Sequence, residues 1–548
     1  MSGGIGVSTG VAAGPVARLA APPELPEDSG QEPDPAGAAE RASAALEAVA
    51  AELESRAERA GDTASAVLFA QAMMPRDPAL QSKIADELAA GRSLPHAVAA
   101  AFGGFRAALE AAGGYLAERA ADLDDVANRV VANLLGLPMP GIPAPGHPFV
   151  LVAEDLAPAD TAMLDRERVL AIVTERGGPT SHTAILAKSL GIPAVVGCPA
   201  ARDLTDGTTV LVDGGTGAVV ISPSVDEVAR AQERAAALAR ALAGSVGPGR
   251  TADGVAVALL VNLGAEGELA AAASADSEGV GLLRTEFLYL NRTTVPTVDE
   301  QVHAYSAVFA AFGDRKVVVR TLDAGADKPL AFVDHGDEPN PALGVRGYRL
   351  ANRHPAMLTD QLTAIATAAS NHDADVWVMA PMVSTPAEAA AFAELAHTHG
   401  LAVAGTMVEV PAAALRARQV LEECDFASLG TNDLGQYTLA ADRMASELAG
   451  LLDPWQPALL DLVAMTARAG REVGKPVGVC GEAASDPLLA LVFAGLGVTS
   501  LSMAPTALPA VRLSLAAHTL ADCEHLAELA LTARDATEAR QRVAEAVH

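Results

Sequence analysis

The C-terminal half of the chain alternates between short apolar runs and longer segments with helical periodicity. The apolar runs lie near Val255, Gly279, Val317, Val376, Ala402, Phe426, Pro476 and Ser500. Strands that alternate with helices form parallel sheets, and eight such units in roughly 250 to 300 residues match the size of a closed barrel. We therefore predict a (β/α)8, or TIM, barrel over residues 251–548.

Polar side chains follow several of these runs at the point where each run ends. They are Arg284, Arg320 with Asp323, Glu409, Asn432 with Asp433, and Cys480. In a TIM barrel the C-terminal ends of the strands share one face, and catalytic residues gather there. We expect these side chains to converge on one site at that face.

The N-terminal half of the chain changes character along its length. Residues 3 to 20 are rich in Gly and Val and predict one or two strands, whereas residues 38 to 137 show the spacing of apolar side chains typical of helices. Short β-branched runs resume at Phe149. The predicted fold class is therefore multidomain α/β, with a C-terminal TIM barrel and a β/α domain that carries an inserted α-helical bundle.

The composition limits the partners that this chain can have. The chain has 548 residues, a formal net charge of −30 and four cysteines scattered without metal-ligand spacing. An acidic protein binds nucleic acid and anionic membranes poorly and favours basic protein partners. We find no signal peptide or membrane span in the pattern. We expect a cytoplasmic protein with free thiols, no nucleic-acid partner and no membrane insertion.

The sharpest local motif is Gly-Gly-Pro-Thr-Ser-His-Thr-Ala over residues 177–184. The glycines permit a tight turn after a strand, and Thr180 or Ser181 can cap a helix whose first turn contains His182. The positive end of the helix dipole disfavours an imidazolium and stabilises a phosphoryl group. A lone histidine is more often structural, but a neutral imidazole in this setting favours nucleophilic attack on phosphorus.

The segment 177–188 and the sequence Gly-Thr-Asn-Asp-Leu-Gly-Gln-Tyr over 430–437 strongly resemble enzyme I of the bacterial phosphoenolpyruvate:sugar phosphotransferase system. The resemblance extends from residue 4 to residue 503. It implies that His182 accepts the phosphoryl group of phosphoenolpyruvate and then passes that group to a histidine of the small carrier protein HPr. The rest of the substrate leaves as pyruvate. Related synthases and dikinases also need a large ATP-binding domain, for which no segment is long enough.

The resemblance also implies a division of the chain into domains. The first part of the phosphohistidine domain is 1–22, the HPr-binding helical domain 36–137, the rest of the phosphohistidine domain 138–223, the linker helix 224–250 and the phosphoenolpyruvate-binding barrel 251–548. One histidine cannot accept and donate at different sites in a fixed arrangement, so we expect its domain to swivel. Enzymes of this family are dimeric through their barrels, and the resemblance implies a homodimer.

The resemblance also implies which residues bind the substrate. The positions that match substrate-binding residues of the family are Arg284, Arg320, Arg346, Asn432, Asp433 and Arg443. Planar guanidinium groups bind carboxylates and phosphates, which are the two anionic groups of phosphoenolpyruvate. An arginine at a domain surface is otherwise usually a solvated side chain.

Glu409 and Asp433 offer oxygen ligands of the kind that Mg²⁺ prefers. The metal would neutralise the enolate charge as the phosphoryl group leaves. Either carboxylate alone could instead cap a helix or join an ion pair. The resemblance further implies that Cys480 protonates enolpyruvate and that Thr161 hydrogen-bonds to the active histidine.

Some positions depart from the family pattern. Pro179 and Lys188 stand where the family usually has arginine, and the segment 73–78 replaces an acidic run that bears on carrier binding. Two alternatives remain: another phosphoenolpyruvate or pyruvate barrel such as a synthase or lyase, and a non-catalytic regulatory paralogue that binds HPr or metabolites. The missing nucleotide domain argues against the first, and the complete set of expected site residues against the second.

Overall fold

A computed structural model describes residues 2–8, 10–19, 23–28, 30, 32–57, 69, 71–112, 120–137, 140–143, 145–156, 164, 167–178, 181–290, 292–325, 330–333, 338–443 and 445–547. The chain forms two compact units, Met1–Ala237 and Leu238–His548. Thr161 and Pro179 lie outside the described residues, and so does the side chain of His182.

The first unit is built on an eight-stranded sheet with the order β1-β8-β7-β3-β4-β5-β6-β2. The strands are β1 (Ser2–Gly3), β2 (Ile5–Ser8), β3 (Val11–Arg18), β4 (Phe149–Ala153), β5 (Val169–Thr174), β6 (Ala194–Val196), β7 (Thr209–Asp213) and β8 (Ala218–Ile221). Adjacent β3 and β4 run parallel, with Val16 opposite Val150. Since the whole helical segment lies between these two strands in sequence, it is an insertion into the sheet domain.

The inserted helices pack on one another through small aliphatic side chains. They are α1 (Pro35–Ala57), α2 (Pro78–Ala89), α3 (Leu94–Ala112) and α4 (Ala120–Leu135). On α1 the buried residues Leu46, Val49 and Leu53 recur at three- and four-residue steps, which places them on one helical face. Asp77 caps α2 by accepting from the backbone N–H of Ala79 at 2.8 Å.

The second unit contains a closed barrel whose strands all pair in parallel. They are β9 (Ala258–Leu263), β10 (Gly279–Leu283), β11 (Lys316–Arg320), β12 (Asp375–Ala380), β13 (Ala404–Val408), β14 (Ala427–Leu429), β15 (Val477–Val479) and β16 (Ser500–Met503). The predicted fold class is confirmed. The first strand starts later than the run near Val255, because Val255 belongs to a turn in which Thr251 donates its N–H to the Val255 carbonyl.

Alternation along the strands separates the barrel interior from its outer layer. Val317 and Val319 belong to the large core formed with the surrounding helices, whereas Val318 belongs to a separate inner cluster with Met379 and Met407. This is the two-residue period expected of barrel strands. The side chains that end the strands therefore alternate between the interior and the helical layer.

The remaining helices lie between the strands or follow the last one. They are α5 (His182–Leu190), α6 (Val225–Ala243), α7 (Leu269–Ser274), α8 (Val298–Phe312), α9 (Pro355–Ser370), α10 (Pro386–Thr398), α11 (Pro411–Leu415), α12 (Ala417–Glu422), α13 (Thr431–Leu439), α14 (Pro457–Val473), α15 (Pro487–Leu496), α16 (Leu508–Ala517), α17 (Leu520–Leu531) and α18 (Ala536–Ala546). Within the described ranges, none of the helices combines the length and apolarity needed to cross a membrane.

Candidate active site

The C-terminal ends of the barrel strands carry most of the residues predicted for the site. Those at or just beyond a strand end are Arg284, Arg320, Glu409, Asn432, Asp433 and Cys480. Because the strands are parallel, their C-terminal ends form one face of the barrel. The structure therefore brings these residues to the same face, as the sequence predicts.

Arg320 lies in a buried cluster of charges at the end of β11. Its guanidinium contacts the carboxylate of Glu286 and lies 3.4 Å from Oδ2 of Asp323. Burial opposes the charge of Arg320, but these two carboxylates outweigh it and raise the pKa of Arg320. Within the described part of the chain, Nε of Arg320 and Oε2 of Glu286 are buried without a hydrogen-bond partner.

Arg346 extends this charge cluster to the next part of the face. Its side chain is 1% exposed and donates to Oδ2 of Asp323 at 3.0 Å and to Oδ1 of Asp433 at 3.2 Å. Arg443 lies nearer the solvent, with Nη1 at 3.7 Å from Oδ2 of Asp433. Arginine and carboxylate side chains thus alternate from Glu286 at one end to Arg443 at the other.

Arg284 is exposed, as Arg443 is, whereas Arg320 and Arg346 are buried. The structure gives its guanidinium no hydrogen bond or ion pair among the described residues. Burial raises the pKa of Cys480, and Arg284 is close enough to the barrel interior for its charge to oppose that rise slightly. Arg284 is therefore a cation that remains available to an anionic ligand.

Glu409 is a buried carboxylate that is 1% exposed. Burial, together with the charges of Asp433 and Asp323, raises the pKa of Glu409 to about 8. The backbone N–H of Met382 donates to its Oε2 at 2.9 Å, from a residue held in the left-handed region with φ of 61°. The position of this carboxylate thus depends on an uncommon backbone conformation at the end of a neighbouring strand.

The described residues contain no group of three or more His, Cys, Asp or Glu side chains arranged to hold a metal ion. Mg²⁺ needs fewer protein ligands, because it keeps several waters and takes one or two carboxylates together with substrate oxygens. Glu409 and Asp433 fit this donor set. Both are buried, and burial together with the charge of Asp433 raises the pKa of Glu409, so a divalent cation between the two carboxylates would relieve their repulsion.

Cys480 and Asn432 complete the barrel part of the predicted site. Cys480 is 2% exposed, and burial raises the pKa of its thiol to about 11, so the thiol keeps its proton at neutral pH. The Asn432 side chain accepts a hydrogen bond from the backbone N–H of Glu482 at 3.3 Å. Asn432 therefore ties the loop after β15 to the start of α13.

His182 is the first residue of α5. Ser181 is the N-cap, with its hydroxyl accepting from the backbone N–H of Ala184 at 3.3 Å, and Gly177 has a φ of 101° in the preceding turn. The predicted glycine turn and capped helix start are confirmed, with Ser181 as the capping residue. His182 thus lies where the N-terminal backbone amides of a helix create a positive potential.

The sequence did not reveal how the arginines are held. The strand ends brought Arg320 into the predicted site and the family resemblance brought in Arg346, and both were explained by an external anion. Each of them contacts carboxylates of the protein itself. Glu286 was missed, although it stands two residues after Arg284 in the same motif and could have been noticed there. The N–H of Met382 has no signal in the sequence, because its role depends on a backbone angle.

Comparison with known proteins decides the family. Models described as PEP-utilising enzyme match residues 3–119 (N-terminal), 145–217 (mobile domain) and 241–520 (PEP-binding domain). A relative from Streptomyces coelicolor named phosphoenolpyruvate-protein phosphotransferase is 54% identical over 546 residues, covering 98% of this chain and 97% of the relative. The chain belongs to the phosphoenolpyruvate-protein phosphotransferase family.

Other members of the phosphoenolpyruvate-protein phosphotransferase family are similar over most of their length. A relative of that name from Haloferax volcanii is 40% identical, with 88% of this chain and 86% of the relative covered. One from Bacillus sp. (strain S) is 38% identical, with 93% and 92% covered. As a member of this family, the chain is a transferase that moves a phosphoryl group from phosphoenolpyruvate to protein.

Proposed function

We propose that this transferase places the phosphoryl group of phosphoenolpyruvate on its own His182 and then passes it to a histidine of the carrier protein HPr. This is the first step of phosphoenolpyruvate-dependent sugar uptake. One observation carries the proposal: cationic, acidic and thiol side chains meet at the C-terminal face of the barrel, within the match to the PEP-binding domain. His182 lies within the separate match to the mobile domain.

In this proposal the arginines hold the two anionic groups of the substrate. Arg284 has no partner among the described residues, and Nε of Arg320 is buried without an acceptor, so both retain binding capacity. Arg346 and Arg443 act chiefly by holding Asp433 in place. Asn432, at the start of α13, is the remaining proposed substrate-binding residue. Guanidinium groups bind both carboxylate and phosphate, which supports a substrate that carries the two together.

Glu409 and Asp433 are the proposed ligands of Mg²⁺. When bound, the metal would supply positive charge to the enolate that develops as the phosphoryl group departs. Cys480 holds a proton at neutral pH because burial raises its pKa to about 11. We assign it the protonation of the enolpyruvate methylene carbon, which yields pyruvate.

His182 acts as the nucleophile, and Thr161 is proposed to hydrogen-bond to it. The start of α5 supports this role, because a helix N-terminus stabilises a nearby phosphoryl group and disfavours the unreactive imidazolium. After phosphorylation, His182 leaves the barrel and donates the phosphoryl group to HPr. The basic face of HPr would bind an acidic surface of this protein. The net charge of −30 favours that encounter.

The assignment of functions to segments follows from these roles. We propose 1–22 with 138–223 as the phosphohistidine domain, 36–137 as the HPr-binding domain, 224–250 as the linker helix and 251–548 as the barrel that binds phosphoenolpyruvate. We also propose a cytoplasmic homodimer that associates through the barrel. Analytical ultracentrifugation of the intact chain and of a variant with charged substitutions on the outer barrel surface would test the dimer.

Radiolabelled phosphoenolpyruvate with Mg²⁺ provides the direct test. Wild-type protein should acquire label that is lost in acid, as expected of a phosphoramidate, and His182→Ala should acquire none. His397→Ala is a matched control, because His397 is an exposed histidine on α10 and should not affect labelling. Labelling that persists in His182→Ala would overturn the assignment.

Removing the metal and reversing the reaction separate the two half-reactions. Chelation with EDTA should abolish labelling from phosphoenolpyruvate, and added Mg²⁺ should restore it in the wild type. Glu409→Ala should remain unlabelled at any Mg²⁺ concentration, yet should still accept the phosphoryl group from phosphorylated HPr. If both directions fail while the protein remains folded, the proposed division between barrel and phosphohistidine domain is wrong.

A further inference from the structure

Gln361 is a buried polar residue on a helical face that is otherwise apolar. It lies on α9 with 1% exposure, between the core residues Leu358, Leu362 and Ile365. Burying a primary amide is costly unless its hydrogen-bonding groups find partners. The position of this side chain therefore calls for a reason beyond the packing of the helix.

The Gln361 amide reaches the ends of two barrel strands at once. Its Oε1 accepts from the backbone N–H of Leu322 at 2.9 Å, just beyond β11. Its Nε2 donates to Oγ1 of Thr285 at 3.1 Å, just beyond β10, and to the hydroxyl of Tyr305 on α8 at 3.0 Å. The two amide hydrogens and one acceptor site are thus all engaged.

The hydroxyl of Thr285 continues this network to the backbone of Arg320. Thr285 donates its Oγ1–H to the carbonyl of Arg320 at 3.0 Å while accepting from Gln361. The backbone at the end of β11 is consequently held at two points, at the Arg320 carbonyl by way of Thr285 and at the N–H of Leu322 directly. Arg284 is the residue before Thr285, so the same amide also holds the side chain of the residue that directly follows Arg284.

We propose that Gln361 is a positioning residue that sets the spacing between Arg284 and Arg320. This inference rests on the proposed role of these two arginines as ligands of phosphoenolpyruvate. Buried networks that are fully hydrogen-bonded rigidify the groups they connect. Gln361 does not touch the substrate, and its effect on binding is transmitted through Thr285 and the ends of β10 and β11.

Gln301 offers a matched control for this inference. It is also a buried glutamine of the barrel unit, with 1% exposure, and it lies on α8. It donates to the carbonyl of Pro296 at 3.2 Å and accepts from the hydroxyl of Tyr289 at 3.0 Å. Its amide makes no hydrogen bond to the strand ends that carry Arg284 and Arg320, so the same substitution there tests stability alone.

The test compares Gln361→Met with Gln301→Met in steady-state phosphoryl transfer from phosphoenolpyruvate to HPr. Methionine keeps the length of the side chain and removes its hydrogen bonds. For Gln361→Met we expect KM for phosphoenolpyruvate to rise roughly tenfold with kcat within about threefold, the pattern of lost binding that is equal in ground and transition states. Gln301→Met should leave KM unchanged even where both variants lower Tm equally.

A second pair of variants keeps the inference testable if Gln361→Met does not fold. Thr285→Val removes the hydroxyl that contacts the Arg320 carbonyl and should raise KM as Gln361→Met does, whereas Thr285→Ser keeps the hydroxyl and should retain the wild-type KM. A wild-type KM in Thr285→Val, or equal rises in Thr285→Val and Thr285→Ser, would overturn the inference. Failure of the wild type to become labelled would instead reject the proposed function.

Discussion

Nη1 of Arg346 lies 3.2 Å from Oδ1 of Asp433, and this contact joins the loop after β11 to the first turn of α13. The same guanidinium donates to Asp323, so one buried cation lies between two buried carboxylates. Asp433 is also one of the two proposed metal ligands. The geometry of the metal site and the stability of this face therefore depend on the same side chain.

Arg346→Met should consequently destabilise the barrel. Removing one member of a buried ion pair leaves charge without compensation and typically costs about 3 to 5 kcal/mol. Both tryptophans of the chain, Trp377 and Trp455, lie in the second unit, so their fluorescence during urea unfolding reports on that unit.

Arg349→Met is the matched control for Arg346→Met. Arg349 donates to neutral acceptors, the Ser384 hydroxyl at 2.8 Å and the Gly344 carbonyl at 3.3 Å, so its loss leaves no buried charge uncompensated and should cost less, about 1.5 to 3 kcal/mol. Equal unfolding free energies for the two variants would contradict the importance of the Arg346 contacts.

Arg284→Met should show the opposite behaviour. Because Arg284 is exposed and lacks a protein partner among the described residues, its replacement should change the free energy of unfolding by less than about 0.5 kcal/mol. Labelling from phosphoenolpyruvate should nevertheless fall by roughly a hundredfold or more, since a charge-assisted contact to an anion is lost.

The matched control for Arg284→Met is Arg468→Met, at an exposed arginine on α14. It should alter neither stability nor labelling. The measurements are the rate of labelling from phosphoenolpyruvate, in reactions quenched at fixed times, and the free energy of unfolding of the same preparations. A large loss of stability in Arg284→Met would show that this arginine has structural partners.

Gly430→Ala should disable the site by displacing a carboxylate. A Cβ atom at Gly430 would lie 2.7 Å from Cγ and 2.8 Å from Oε1 of Glu409, so the carboxylate has to move. We expect labelling from phosphoenolpyruvate to drop at least roughly tenfold, because a displacement of about 1 Å is costly in catalysis. Circular dichroism should remain that of the wild type.

The same substitution at Gly435, within α13, separates this effect from a general intolerance of alanine. The nearest atom to a Cβ at Gly435 is Cδ2 of Leu459 at 3.8 Å, an ordinary van der Waals contact. Gly435→Ala should therefore keep its activity and gain roughly 0.5 to 1 kcal/mol of stability, since glycine is unfavourable inside a helix. Full activity in Gly430→Ala would contradict the assigned role of Glu409.

The fold and half of the site follow from local patterns, whereas the contacts inside the site do not. Strand alternation and the polar residues at strand ends are readable because each depends on neighbouring positions. The Arg346–Asp433 contact joins residues 87 positions apart, and Gln361 reaches Thr285 across 76. Such pairs depend on how the loops turn after the barrel closes, which periodicity does not encode. Only the resemblance to a known family brought Arg346 into the predicted site.

The two thiols Cys480 and Cys424 permit a test of the proton donor. Both are buried, and burial raises the pKa of each to about 11. They differ in place, because Cys480 directly follows β15 at the catalytic face, whereas Cys424 precedes β14 and donates to the Val420 carbonyl at 3.4 Å. The thiol at either position is protonated at neutral pH, but only Cys480 is near the proposed substrate site.

In single turnovers, the Cys480→Ala variant should still become phosphorylated on His182. Pyruvate should appear roughly 100-fold more slowly than in the wild type, because loss of a general acid usually slows proton transfer to that extent. The enol released by phosphoryl transfer would then acquire its proton from solvent. In Cys424→Ala, phosphohistidine and pyruvate should form together at wild-type rates. Rapid-quench measurement of phosphohistidine and pyruvate tests this prediction. Simultaneous formation of the two products in Cys480→Ala would exclude this thiol as the proton donor.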